Sequence, residues 1–101
     1  FVHETESQVI LNGSYNINFT MDLVLKDAGL FDNLAKKLNS SLEISPKIVE
    51  IFKDGEKKYG SRAWSSMIVK RMEDLNKVDF RASGFPDELT DNEPEEKGYE
   101  I

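Results

Sequence analysis

Cysteine is missing altogether from the 101 residues, which rules out disulfide staples and thiolate chemistry. The absence fits a reducing compartment, and a cytoplasmic protein is expected. Long apolar runs are missing too. None approaches the roughly 20 residues that a membrane-spanning helix needs, and the start shows no charged-then-apolar signal-peptide pattern. No membrane partner is therefore expected. Histidine occurs once, at His3. A Ser-His-Asp arrangement is not expected on that footing, and neither is a metal site, which would need partner ligands. The glycine-rich loops that cradle nucleotide phosphates, G-x-G-x-x-G and G-x-x-x-x-G-K-[ST], do not occur either. Three N-x-S/T triplets start at Asn12, Asn18 and Asn39; without a secretory signal they read as coincidence.

An excess of basic residues is the next absence. The net charge is −6, and it belongs to one end. From Asp87 to Ile101 seven acids (Asp87, Glu88, Asp91, Glu93, Glu95, Glu96, Glu100) stand against one base, Lys97. The rest of the chain is balanced. No basic patch offers itself to a nucleic acid, so that partner is not expected. Hydrophobic residues make up 39%, enough for one modest core and one domain.

What is present is helical periodicity. Residues 1–17 are polar and mixed, a lead-in ending near the Asn12-Gly13-Ser14 turn signal. From Asn18 to Asn39 the apolar residues form one broad arc at about 100° per residue. Leu30, Leu23, Leu34, Leu38, Phe31, Val24, Ala35, Ala28 and Met21 lie on it. Asn18 or Thr20 is placed to cap the start, and Asn39-Ser40-Ser41 ends the pattern. Ser45-Pro46 opens a second helix, with serine at the N-cap and proline in the first position. Gly55 sits inside its apolar face, which suggests close backbone approach to a neighbouring helix, and Gly60 ends it. A third helix is expected from Ser61 or Arg62 to Asn76, with Trp64, Met67, Ile68, Met72 and Leu75 on one face and Arg71 among them. The Glu73-Asp74 pair reads as solvated surface. After Asp79 the pattern is lost at Gly84-Phe85-Pro86, so residues 79–101 are expected as an acidic arm against the domain or a disordered tail. The fold class is all-α, a small helical bundle over residues 18–78.

One residue breaks the pattern. Asp27 falls in the middle of the first apolar arc, between Leu34 and Leu38 in angle. Its angular neighbours are expected to bury it, and burial demands a partner or neutralisation. Arg71 across the core is one partner that would make it purely structural. Lys26 and Phe19 lie on nearly one line at the arc's edge, and Asp22 sits four residues before Lys26, the spacing of a surface ion pair.

The stretch Phe19-Thr-Met-Asp-Leu-Val-Leu-Lys26-Asp27-Ala-Gly-Leu30 resembles the F-x-x-x-L-x-x-K-D-x-x-L signature of the β-hydroxyacid dehydrogenases, the family of 3-hydroxyisobutyrate dehydrogenase. Leu11–Asn16 before it, and the Ser45-Pro46 start and Gly60 break after it, fall in similar order, so the resemblance spans about residues 8–76. It implies the C-terminal helical domain of the 6-phosphogluconate dehydrogenase-like superfamily, preceded elsewhere by a Rossmann domain and a long interdomain helix. It implies NAD or NADP as cofactor, a small β-hydroxyacid converted to its semialdehyde or back, and homo-oligomers formed through the helical domain. Carried over, Lys26 contacts the cofactor near its nicotinamide end, and Phe19 and Asp27 border the substrate pocket. The catalytic lysine of the family belongs to the interdomain helix, so no catalytic residue is expected within these 101 residues, and the chain alone is expected to be inactive. The sequence departs from the family where Trp64 precedes Ser65-Ser66, a turn that often holds an acid. The alternative reading is a stand-alone α-helical protein-interaction module with no catalytic role.

Overall fold

The computed structural model describes residues 2–87 and residue 98, with side chains from Thr5 onward. Among the described residues it is all-α. Helices α1 (Val2–Asn12), α2 (Met21–Lys37), α3 (Ser45–Tyr59) and α4 (Ile68–Asn76) follow in order, with a short 3-10 turn at Ser65–Met67 ahead of α4. Thr20 and Trp64 form an isolated antiparallel bridge, and no strand occurs among the described residues. No described helix is long and apolar enough to cross a membrane.

The polar lead-in is a helix, contrary to the expectation for residues 1–17. Its inward face needs few residues. Val9 is fully buried and Thr5, one turn earlier, is buried as well. Gly13 then stops α1 with a left-handed φ of 84°, which an L side chain rarely adopts, and its N–H reaches back to Ile10 O at 3.2 Å. Ser14 N–H bonds the Asn12 side-chain oxygen at 2.8 Å, completing the turn that the Asn-Gly-Ser triplet announces.

Helix α2 keeps the expected arc but packs through one side of it. Met21 and Ala35 are buried, while Leu23, Val24, Leu25 and Ala28 are half-buried. That side lies on α3 in an α2–α3 hairpin, the most extensive helix pairing in the fold. The hairpin is closed at the α2 end by Asn39 in the left-handed region (φ 53°), with Ser40 N–H on Ala35 O at 2.9 Å and Asn39 N–H on Lys36 O at 3.2 Å.

Two helix starts differ from the sequence reading. Ser45 is the first residue of α3 rather than its N-cap, and its hydroxyl crosses to Asp32 of α2 at 2.5 Å. Thr20 occupies the N-cap of α2 without capping it; its hydroxyl bonds the Asp22 carboxylate. The first N–H groups of α2, which have no helical acceptor, are satisfied from far along the chain: Met21 N–H by Ala63 O at 2.9 Å and Asp22 N–H by Ser61 O at 3.0 Å. In return Ser65 N–H bonds Phe19 O at 2.6 Å. Residues 61–64 are therefore an irregular segment, not the first turn of a third helix. The Ser61 and Ala63 carbonyls are committed to α2, and Trp64 is extended (φ −61°, ψ 138°).

The helices meet at Gly55. A Cβ built there would stand 2.8 Å from Ile68 Cδ1 of α4 and 3.0 Å from Met21 Sδ of α2. The expected close approach of a neighbouring backbone is not what the glycine accommodates; the side-chain ends of Ile68 and Met21 fill the space instead. Two polar ties reinforce the junction. Arg71 of α4 donates to Asp54 of α3 at 2.5 Å, and Tyr59 of α3 donates to Asp74 of α4 at 2.7 Å. Burial first, then the neighbouring Asp74 carboxylate, pushes the Tyr59 hydroxyl up to about 12.

Candidate functional site

Lys26 and Asp27 are consecutive on α2, and Phe19 lies just before its N-cap. The bridge to Trp64 and the bonds from residues 61–65 hold this end of the helix, so the segment is presented on a fixed scaffold. Phe19 is 38% exposed; Lys26 and Asp27 are exposed.

Asp27 is not buried, which corrects the expectation drawn from its leucine neighbours. The neighbours themselves are uncovered: Leu30, Leu34 and Leu38 are 63%, 53% and 66% exposed, and Phe31 is 55% exposed. The arc spans more than α3 can cover. Contact with α3 is taken by the Met21–Ala28–Ala35 side, so the centre of the arc, with Asp27 in it, faces outward. Asp27 consequently needs no buried partner and does not pair with Arg71, which belongs to Asp54.

The local alternative for Lys26 fails too. Asp22 turns to Arg62 at 3.0 Å and to the Thr20 hydroxyl. The Thr20 hydrogen bond, then that of Arg62, holds its carboxyl below the usual range. Lys26 therefore forms no ion pair among the described residues, and neither does Asp27. The result is an unpaired cation at the edge of a bare apolar stripe and an unpaired carboxylate within it, with a half-exposed aromatic ring at the head of the helix. Such a surface can accept an anionic or hydrogen-bonding group against apolar material. It does not enclose one.

A cleft of about 640 Å³ lies elsewhere, lined among others by Ala28, Phe31, Leu42, Ile44 and Ile48. None of Phe19, Lys26 or Asp27 lines it. No group of three or more His, Cys, Asp or Glu side chains suited to a metal occurs among the described residues.

The sequence reading also missed a buried polar cluster. Glu73, expected on the surface, is 2% exposed. The Tyr15 hydroxyl donates to its Oε1, and Arg81 donates to the same oxygen at 3.0 Å and to the Tyr15 oxygen at 2.7 Å. Oε2 is buried without a hydrogen-bond partner among the described residues. Burial pushes the Glu73 carboxyl up, but Tyr15 and Arg81 together outweigh it and hold it below the usual range. The sequence carries no signal for it, because Tyr15 lies 58 residues from Glu73 and the pairing exists only once the chain has folded.

Comparison of the chain with protein-family models, with curated proteins and with solved structures gave no match.

Proposed function

We propose that this chain is the C-terminal helical domain of an NAD- or NADP-dependent β-hydroxyacid dehydrogenase, and that Phe19, Lys26 and Asp27 form one wall of its cofactor and substrate cleft. The observation that carries the reading is the uncovered α2 stripe. Four large apolar side chains more than half exposed on one helix are unusual for a surface meant to face water. The signature residues Lys26 and Asp27 lie along that stripe, where a second domain would complete the cleft.

The side chains suit the cofactor on one side only. Lys26 is exposed and unpaired among the described residues, so its ammonium is available to a polar group of the nicotinamide end. Phe19 offers an apolar ring edge to the substrate, and Asp27 an acceptor for a substrate hydroxyl. The nicotinamide supplies the hydride chemistry when bound. The acid–base group belongs to a helix outside these residues, so this wall binds, orients and excludes water. The test is expression of the chain together with the sequence preceding Phe1, assayed for NAD- and NADP-linked turnover of small β-hydroxyacids. Absence of turnover with every member of the class would overturn the proposal.

The same stripe also supports the second reading, an α-helical interaction module. That reading has binding of a partner protein with no response to nucleotide. Nucleotide titration followed by Trp64 fluorescence on the extended protein separates the two.

A further inference from the structure

Residues 78–87 run back across the end of α1. Ala82 N–H donates to Leu11 O at 3.0 Å, Arg81 Nη1 to Ile10 O at 3.3 Å, and Asn12 Nδ2 to Pro86 O at 2.7 Å. Ile10 and Leu11 lie in the last turn of α1, where carbonyls run short of helical partners; Gly13 N–H already reaches Ile10 O, and Arg81 adds a second donor to it. The strap is therefore a C-cap supplied from far along the chain, and it brings a cation to the negative end of the helix dipole. Inward, the same guanidinium bonds Glu73 of α4 and the Tyr15 hydroxyl, and its Cζ stands 5.0 Å from the Tyr15 ring centroid. Gly13 makes room for it, since a Cβ there would lie 2.5 Å from Arg81 Nε. Arg81 thus touches α1, the turn after it, and α4 at once.

We propose that Arg81 is the pin of a releasable clamp: α1 and residues 78–87 are held or freed together, while the α2–α3 hairpin stays folded. The separation follows from where the other ties run. The hairpin joins α4 through Met21, Gly55 and Ile68 and through the Asp54–Arg71 and Tyr59–Asp74 bonds. None of these passes through the strap. Helix α1 packs on the 3-10 turn, whose Ser66 hydroxyl bonds Tyr15 O at 2.5 Å, and meets residues 78–87 at the clamp. Elements joined through one cluster open as a unit below the global unfolding limit. Under the two-domain reading, α1 adjoins the interdomain helix, so the clamp would set how the domains meet; the clamp itself does not depend on that reading.

Hydrogen exchange read by mass spectrometry on the full chain tests it, comparing the wild type with Arg81→Ala and with the double variant Glu73→Gln/Arg81→Gln. The double variant removes the pin without stranding a buried charge. Amides of α1 and of residues 78–87 are expected to exchange about tenfold faster, and together, with α2 and α3 within about twofold of wild type. Protection of α1 that survives loss of the pin would overturn the proposal. So would equal loss of protection in all four helices of the double variant.

Discussion

Arg71 Nε on α4 stands 2.5 Å from Asp54 Oδ2 on α3, and Lys58 reaches the same oxygen at 3.0 Å. The arginine hydrogen bond first, then the lysine, holds the Asp54 carboxyl below its ordinary 3.8. A carboxyl depressed in the folded state adds stability that is fully present above its unfolded value and is lost as pH falls through the folded one. Both side chains are partly exposed, so solvent screens the pair and the contribution is modest. Thermal unfolding followed from pH 7 down to about pH 2 is expected to show Tm falling below about pH 4. Asp54→Asn should flatten part of that fall; an identical acid profile would remove the pair from the α3–α4 junction.

Met21 is fully buried against Gly55. Met21→Ala is expected to destabilise by about 2–5 kcal/mol, the usual range for emptying such a site. Gly55→Ala sets two effects against each other: a helix-propensity gain of about 1 kcal/mol and the displacement of Ile68 and Met21 side-chain ends. The net change should be small, whereas Gly55→Leu should unfold the junction. Urea midpoints on the three variants check this, and a well-folded Gly55→Leu would contradict the packing at this point.

Leu34 faces outward among Leu30, Leu38 and Phe31. Leu34→Gln should change the stability of the isolated chain by no more than about 0.5 kcal/mol, as for an ordinary surface site. Light scattering should show weaker self-association, because the exposed patch is interrupted. A large loss of stability would mean that the stripe is covered within the chain.

Lys26 has no ion-pair partner among the described residues. Under the proposed function, Lys26→Ala leaves the circular dichroism and Tm of the chain unchanged. In the extended protein it raises the cofactor Kd roughly tenfold, the loss of one charge-assisted hydrogen bond of about 1.5 kcal/mol. Unchanged affinity would return Lys26 to the status of a solvated surface lysine.

Much of the helical layout was legible in the chain by itself. The Asn18–Asn39 arc, the Ser45-Pro46 start, the turn at Gly13, the stops at Asn39 and Gly60, and a close contact at Gly55 all follow from spacing and from local backbone chemistry. These features depend on neighbours within a turn or two. Helix α1 escaped notice because two buried residues, Thr5 and Val9, suffice for its inward face and leave little periodicity to read. The irregular segment 61–64 escaped because the Ser61 and Ala63 carbonyls serve α2, about forty residues earlier.

The status of Phe19, Lys26 and Asp27 shows the same division. Periodicity placed Asp27 among leucines and led to the expectation that they bury it. Only the docking of α3 on the Met21–Ala35 side decided that the arc is bare, turning a buried charge into an exposed one. Likewise, sequence put Glu73 beside Asp74 with no sign that one faces Tyr15 and Arg81 while the other faces Tyr59 and Lys70. Local pattern determines which residues share a face, because helix geometry repeats every 3.6 residues. Which face is then covered depends on contacts between distant segments, and those exist only once the chain has folded.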